Sequence, residues 1–290
     1  MGPARRRGGR VATGLLPAVL LAACSSSATG VPPPKLTAGV QQDRVDATNR
    51  QISIPLINQG NSTVTVENVQ LVAPQFTTVP GSRAQDDLTP GLRLNFPINF
   101  GTARCGAPPA GHPVVRVRVR TIDHRSRVST VPVTDPDGLL DRLRRSDCQQ
   151  QSLLKAVSVD YGPVIRRPGL PGHPVLHGSL IVRRKAAKGS LTVVETRGSV
   201  LFDLLSGTTD AAVAPRSPVA VLSPAADVLT VPVLMSIPRC DPHVLIEAKK
   251  VFFFSIGLRI GSDPEQFLQI PPPVPLQQAL RGLFGPCPEK

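Results

Sequence analysis

The sequence predicts a mainly β protein built of two tandem antiparallel β-sandwich domains. Apolar and polar residues alternate at period two in stretches such as 115–119 and 252–260, which is typical of half-buried strands. The chain contains 32 Pro and 24 Gly in 290 residues, which disfavours long helices and favours short elements joined by turns. An internal repeat, described below, predicts that the architecture occurs twice.

The composition restricts which residues can fill the core and indicates which partners the chain can bind. Hydrophobic residues make up 41% of the chain, but only 3% are aromatic and Trp is absent, so Val, Leu, Ile and Ala must fill the core. The formal net charge is +13, with Arg far outnumbering Lys, a bias typical of actinobacterial proteins. That charge favours anionic surfaces such as acidic lipid headgroups or wall polymers. The alternative is that Arg simply replaces Lys as the solubilising cation.

Residues 1–23 are predicted to be a signal peptide. Four arginines in the first ten residues precede an apolar stretch over 11–23. A helix of that length spans roughly 20 Å, too short for the ~30 Å hydrocarbon core of a bilayer. A cleavable export signal is therefore favoured over a permanent transmembrane helix.

The tetrapeptide Leu-Ala-Ala-Cys at 21–24 resembles the lipobox of bacterial lipoproteins. The resemblance covers the first thirty residues and implies that Cys24 is lipidated after cleavage just before it. It also implies a protein held at the extracytoplasmic face of the cell membrane, where two acyl chains give stable anchoring. Residues 24–40, rich in Ser and then Pro, are predicted to be a flexible tether. The alternative is an ordinary signal peptide followed by a chance cysteine.

The internal repeat aligns residues 92–105 with 227–240 at a constant offset of 135. The matched pairs are Leu94 and Leu229, Pro97 and Pro232, Arg104 and Arg239, and Cys105 and Cys240. Two sandwich repeats are therefore predicted, over 41–150 and 151–290, with a boundary near 149–157.

Each repeat is predicted to close with a short helix that ends at a second cysteine, over 134–148 and 274–287, with Asp137 as the N-cap of the first. In the second helix, Leu276, Ala279, Leu280 and Leu283 are predicted to form one apolar face. Once Cys24 is lipidated, four cysteines remain and three pairings are possible. The repeat selects two disulfides that each lie within one copy, Cys105–Cys148 and Cys240–Cys287.

The predicted layout of strands and turns is similar to that of tandem immunoglobulin-like domains of bacterial envelope proteins. The likeness is architectural, because no Cys–Trp–Cys signature is present.

The candidate contact site is the stretch Arg-Val-Arg-Val-Arg. Its alternation places Arg116, Arg118 and Arg120 on one face of a strand and the valines on the other. Arg125 and Arg127 extend the basic stretch. One interpretation is a contact surface for an anionic polymer or lipid. The other is simply the solvated outer face of a strand, for which protection of a sheet edge is one role.

Motifs that carry chemistry are missing from the sequence. There is no G-x-S-x-G, no H-E-x-x-H and no phosphate-binding glycine loop. Sugar recognition usually stacks rings on Trp or Tyr, and the chain has one Tyr. No catalytic residue, metal site or cofactor is predicted, although an enzyme of unrecognised type remains an open alternative. Export and the scarcity of stacking aromatics disfavour nucleic acid as a partner.

Two functions follow from these observations. The first is a non-catalytic envelope lipoprotein that binds an envelope protein or an anionic surface component. The second is an envelope metal-handling or redox protein that uses Cys240 and His243, which have C-x-x-H spacing. His173 and His177 are not predicted to bind metal, because Pro174 interrupts the helical face they would share.

Overall fold

The structure is a computed structural model, and the residues that it describes are 33–107, 110–167, 174–207, 216–238 and 251–284. Cys24, Cys240 and Cys287 lie outside these ranges. The chain divides into two units, Met1–Pro32 and Pro33–Lys290, and every described residue belongs to the second. The described residues form sixteen strands and three helices, so the chain is mainly β, as predicted. Within those ranges, no helix has both the length and the apolar character needed to cross a bilayer.

The first half of this unit contains seven strands and one short helix. They are β1 (Leu36–Gly39), α1 (Arg44–Thr48), β2 (Gln51–Asn58), β3 (Val64–Val72), β4 (Ser82–Leu88), β5 (Arg93–Asn99), β6 (Val114–Arg120) and β7 (Ser126–Thr134). The strands form one sheet in the order β4-β3-β6-β7-β1-β2-β5. β1 and β7 are parallel and the other neighbours are antiparallel. The end strands β4 and β5 contact each other, so the sheet curls into a nearly closed barrel.

The first core lies inside this curled sheet. Period-two alternation turns every second side chain of β2, β3 and β6 inward, and Ile52, Ile54 and Leu56 of β2 are fully buried. Phe76 and Phe100 pack edge to face with ring centroids 5.2 Å apart. Burying each aliphatic side chain of this size contributes about 1.5–3 kcal/mol, so the branched residues can form the core with little aromatic help.

The second half begins with a long helix and continues with two sheets. Its elements are α2 (Leu139–Ala156), β8 (Val157–Tyr161), β9 (Ile165–Arg167), β10 (Val175–Arg184), β11 (Leu191–Arg197), β12 (Asp203–Ser206), β13 (Ala220–Leu222), β14 (Val228–Ser236), β15 (Ser255–Ile260), β16 (Gln266–Gln269) and α3 (Val274–Arg281). One sheet has the order β12-β14-β10-β8, with β9 also paired to β10, and the other has the order β13-β11-β15-β16. Neighbouring strands in both are antiparallel.

The second core draws on both of these sheets and contains four phenylalanines, Phe202, Phe252, Phe254 and Phe284. Phe202 is fully buried, and its ring centroid lies 5.7 Å from that of Phe252 and 5.3 Å from that of Phe284. On α3, Leu276 and Leu280 are buried against the same cluster, as is Leu283 just beyond the helix. These three leucines form the apolar face predicted for the second helix.

The first predicted helix does not end at Cys148 but continues to Ala156. No Pro or Gly interrupts 139–156, and the residues after Cys148 are mostly Gln, Leu, Lys and Ala, which favour helix. The helix ends where Val157 becomes extended and the Ala156 carbonyl accepts the N–H group of Lys185. The predicted boundary near 149–157 therefore falls largely within a continuous helix.

The N-cap of α2 is also different from the prediction. The carboxylate of Asp135, not that of Asp137, accepts the backbone N–H groups of Leu139 at 2.7 Å and Leu140 at 3.0 Å. Gly138 stands at the cap position with φ of 60°, a left-handed conformation that glycine adopts without steric cost. The left-handed turn at Gly138 lets the carboxylate of Asp135, which is farther from the helix in sequence than Asp137, reach the free N–H groups of the first helical turn.

Candidate functional site

A disulfide joins Cys105 and Cys148, the pair expected within the first repeat. The Cα atoms are 5.4 Å apart, and the bond ties the segment after β5 to the middle of α2. Arg144, one helical turn before Cys148, donates hydrogen bonds to the carbonyls of Arg104 at 2.9 Å and Gly106 at 2.7 Å. The backbone on both sides of Cys105 is thereby fixed to the helix.

The alternation predicted for the basic stretch is present in β6. Val115, Val117 and Val119 are fully buried, and the arginines between and after them are exposed. β6 is not an edge strand, because β3 and β7 flank it on either side. The interpretation that these arginines protect a sheet edge is therefore wrong. They cover the middle of a sheet face.

Strand register adds a fourth arginine to this surface. Asn68 of β3 lies directly opposite Arg118 of β6 and, on its other side, opposite Arg83 of β4. Directly paired residues project to the same side of a sheet, so Arg83 shares the face of Arg118. We define the basic face as Arg83, Arg116, Arg118 and Arg120. Sequence reasoning missed Arg83 because a bulge between Val66 and Asn68 shifts the register of β3 against both neighbours.

The charge of the basic face is compensated at one end only. Arg120 Nε lies 3.7 Å from Glu67 Oε1, and the other oxygen of Glu67 accepts a hydrogen bond from Ser126 at 2.7 Å. Within the described ranges, Arg83, Arg116 and Arg118 make no ion pair. Uncompensated cations on one surface attract anions and speed their association.

A groove of about 630 Å³ opens at the Arg120 end of the basic face. It lies between the β2–β3 loop, residues 59–63, and the β6–β7 turn, residues 121–125. We call it the loop groove; its lining is Asn61, Ser62, Thr63, Thr65, Arg120, Thr121, Ile122 and His124. The lining is mostly neutral and polar. Arg120 belongs both to this lining and to the basic face.

The β2–β3 wall of the loop groove is held by one buried amide. Asn58 is 1% exposed, and its Nδ2 donates to the carbonyls of Ser62 and Leu88, both at 2.8 Å. Its Oδ1 accepts the N–H group of Gly60 at 2.9 Å. Because the amide uses both its donor and its acceptor on backbone groups, the loop is fixed before any ligand arrives.

The β6–β7 wall is organised by Asp123. Its carboxylate accepts the Thr121 hydroxyl, the Arg127 guanidinium at 2.8 Å and the Arg125 N–H group at 3.3 Å. The Thr121 hydrogen bond, followed by those of Arg127 and Arg125, lowers the pKa of Asp123 to about 2. His124 adopts φ of 58° at the tip of the turn. The turn therefore keeps an ionised carboxylate at its base and presents His124 at the groove.

The residues of the metal-handling alternative, Cys240 and His243, lie outside the described residues, as does His173. In the part of the chain that the structure describes, no three His, Cys, Asp or Glu side chains are close enough together to hold a metal ion. Cys105 and Cys148 are joined to each other and are not free thiols.

Comparisons with known proteins found only distant structural similarity. No family model matches the chain, and no curated protein is similar to it. Similar solved structures include the exo-chitosanase CsxA of Amycolatopsis orientalis, with 10% identity over 80% of this chain and a TM-score of 0.18. The YadV chaperone gives 13% identity over 76% of this chain and 92% of its own, with a TM-score of 0.19. The secreted serine protease VesC of Vibrio cholerae gives 9% identity over 81% of this chain, 48% of its own length and a TM-score of 0.17. This chain spans about a quarter (26%) of the length of the exo-chitosanase. All three TM-scores are below 0.2, so none of these likenesses carries an argument about function.

Proposed function

We propose that this chain is a lipid-anchored protein of a bacterial cell envelope that binds an anionic surface component without catalysing a reaction. The observation that carries the proposal is the basic face. Its four arginines share one side of a sheet, and three of them have no ion-pair partner within the described ranges. A protein partner with an acidic surface would be recognised by the same charges.

The lipobox supports the anchoring part of the proposal. Lipidation at Cys24 would leave eleven residues between the anchor and the start of β1 at Leu36. An extended stretch of that length reaches at most roughly 40 Å. The folded part of the chain would therefore stay close to the extracytoplasmic face of the membrane, where acidic headgroups and wall polymers are concentrated.

The architecture proposed for the folded part is two immunoglobulin-like sandwiches, one in each repeat. In the first half, a β4-β3-β6-β7 group and a β1-β2-β5 group supply seven strands that meet where β1 runs parallel to β7. In the second half, β8-β10-β14-β12 follows the order of a four-stranded immunoglobulin sheet, and β11-β15-β16 follows that of a three-stranded one with β13 added at its edge. β5 and β14, which the 135-residue offset aligns, pair with β2 and β10 in their respective halves.

Guanidinium groups suit this role better than ammonium groups would. Arginine stays charged at any physiological pH and offers a planar fork of donors that matches phosphate or carboxylate oxygens. Arg116 and Arg118 stand on a strand whose buried valines fix the backbone. The charges are therefore held in a regular row instead of being spread along a flexible segment.

Retention on an immobilised polyphosphate matrix tests the basic face. Each arginine near an anionic surface contributes about 1 kcal/mol, so the double variant Arg116→Gln/Arg118→Gln should bind about thirtyfold more weakly and elute at lower salt. The full chain is used in neutral detergent micelles. The matched control is Arg167→Gln/Arg259→Gln, which removes two exposed arginines from the second half of the structure. Equal elution of the two double variants would show that net charge alone causes retention, and would overturn the proposal.

A further inference from the structure

We propose that the loop groove is a binding site for a phosphodiester that carries hydroxyl groups, such as a polyol-phosphate headgroup. This inference rests on the proposed function, because Arg120 belongs both to the groove and to the basic face. The groove volume of about 630 Å³ is within the range of small-molecule sites, about 300–1,000 Å³. A headgroup-sized ligand therefore fits it.

The charge of the groove fits a single negative charge. Among the described residues that line the groove, Arg120 is the only arginine or lysine, and its side chain is 45% exposed. Its contact with Glu67, at 3.7 Å, is longer than a hydrogen bond. Glu67 partly compensates the charge of Arg120, but the guanidinium keeps donors for charge-assisted hydrogen bonds to one phosphodiester group.

The neutral part of the lining fits hydroxyl groups. Asn61, Ser62 and Thr63 are exposed, and in the described part of the chain their side chains make no hydrogen bond. They stand on the loop that Asn58 fixes, so they need little ordering when a ligand binds. A tetrahedral phosphate can accept from Arg120 on one side and from these side chains on another, whereas a carboxylate keeps both oxygens in one plane.

An apolar side chain in the groove lining fits the glycerol and acyl part of a phospholipid. Ile122 lines the groove and is 71% exposed. Val128, opposite Arg118 on β7, is 60% exposed. Exposed aliphatic groups beside a cationic headgroup site contact glycerol or the start of an acyl chain at low cost. The same phosphodiester chemistry also occurs in soluble polyol phosphates, and the experiment separates the two sources.

Calorimetric titration of the full chain in neutral detergent micelles tests the site. The probes are soluble glycerophosphoglycerol and phosphatidylglycerol added to the micelles, with sodium glucuronate as the carboxylate competitor. Both diesters are expected to bind. A much tighter interaction with phosphatidylglycerol identifies a lipid headgroup as the source, and equal affinities identify a free diester. Binding of neither diester, or tighter binding of glucuronate, would overturn the proposal.

Variants then assign the binding to the groove. Arg120→Gln should weaken binding of either diester about tenfold, and Thr63→Val, which removes one hydroxyl at constant shape, about threefold. Arg259→Gln and Thr130→Val are the matched controls and lie outside the groove lining. All four side chains are largely exposed or at the surface, so equal melting temperatures will show that folding is retained.

Arg116→Gln separates failure of the groove from failure of the basic face. Arg116 lies on the same strand and face as Arg120 but outside the groove, so it should weaken diester binding only about twofold. If Arg116→Gln costs as much as Arg120→Gln, binding is a diffuse attraction to the face. That result overturns the groove and leaves the proposed function intact.

Discussion

The side chain of Arg50 contacts both α2 and the first core. It has φ of 55°, a conformation uncommon outside glycine. Its guanidinium bonds Asp147 of α2 at 2.6 Å and lies 4.7 Å from the ring centroid of Phe100. The hydrogen bond to Asp147 raises the pKa of Arg50. The contacts of this side chain thus hold α2 beside the first core, close to the Cys105–Cys148 disulfide.

The partial burial of Asp203 on β12 disfavours the charged form of its carboxyl group. Desolvation raises its pKa above the ordinary value of 3.8. A raised pKa means that the folded state holds the proton more tightly than the unfolded state. The contribution of Asp203 to stability is therefore complete below pH 3.8 and is lost as pH rises through the folded-state pKa.

Asp203→Asn should raise the melting temperature at pH 7, because the amide stays neutral where the carboxylate must ionise. The gain should shrink as pH falls and disappear below about pH 4. Thermal unfolding at a series of pH values measures it, with the exposed Asp263→Asn as the control. A gain that is independent of pH would contradict the burial of the charge as its cause.

At the scale of elements, α2 is the part that serves both cores. Leu139 and Leu140 pack in the first core, and Leu153 packs in the second. The Gln150 amide reaches the backbone of Gln269 on β16, with contacts of 3.4 and 3.5 Å. An uninterrupted helix with buried leucines near each end makes the two halves share one rigid element.

The adjacent residues Leu153 and Leu154 test the orientation of α2. Leu153 is 2% exposed and Leu154 is 48% exposed. Leu153→Ala should lower the free energy of unfolding by about 2–5 kcal/mol. Leu154→Ala should change it by less than about 0.5 kcal/mol. Urea unfolding measures both, and similar losses would show that the helix does not face the second core through Leu153.

At the level of the whole molecule, the proposed function requires a short connection between a lipid anchor and a cationic sheet face. Lipidation at Cys24 would raise the effective concentration of the membrane surface at the basic face, so that even weak contacts would become occupied. The Cys105–Cys148 bond closes a segment of 43 residues and contributes about 4 kcal/mol in the chain-entropy model. A small barrel-like sheet gains stability from such a link.

Cys24→Ser should remove the anchor without changing the fold. The variant is expected to leave the membrane fraction and to lack the mass of the acyl groups, since serine provides no thiol for thioether formation. Membrane fractionation and intact-mass analysis of both proteins measure this. Ala23→Gly, which keeps a small residue before the cysteine, is the control and should stay anchored. An unacylated wild-type chain would contradict lipidation at Cys24.

The mainly β character, the outward row of arginines on β6 and the apolar face of α3 could all be predicted from the amino-acid sequence. These depend on periodicities that any strand or helix imposes on its own side chains. The sequence also indicated the Cys105–Cys148 pair, through the internal repeat.

Only the three-dimensional fold shows that β6 is a central strand, that Arg83 joins its arginines, and that the far end of α2 packs in a second core. It also brought residues 59–63 and 121–125 together as the loop groove. Strand order, register and the bulge in β3 set these features. Each depends on contacts between residues far apart in the chain or on a single backbone conformation, and neither leaves a periodic pattern in the sequence.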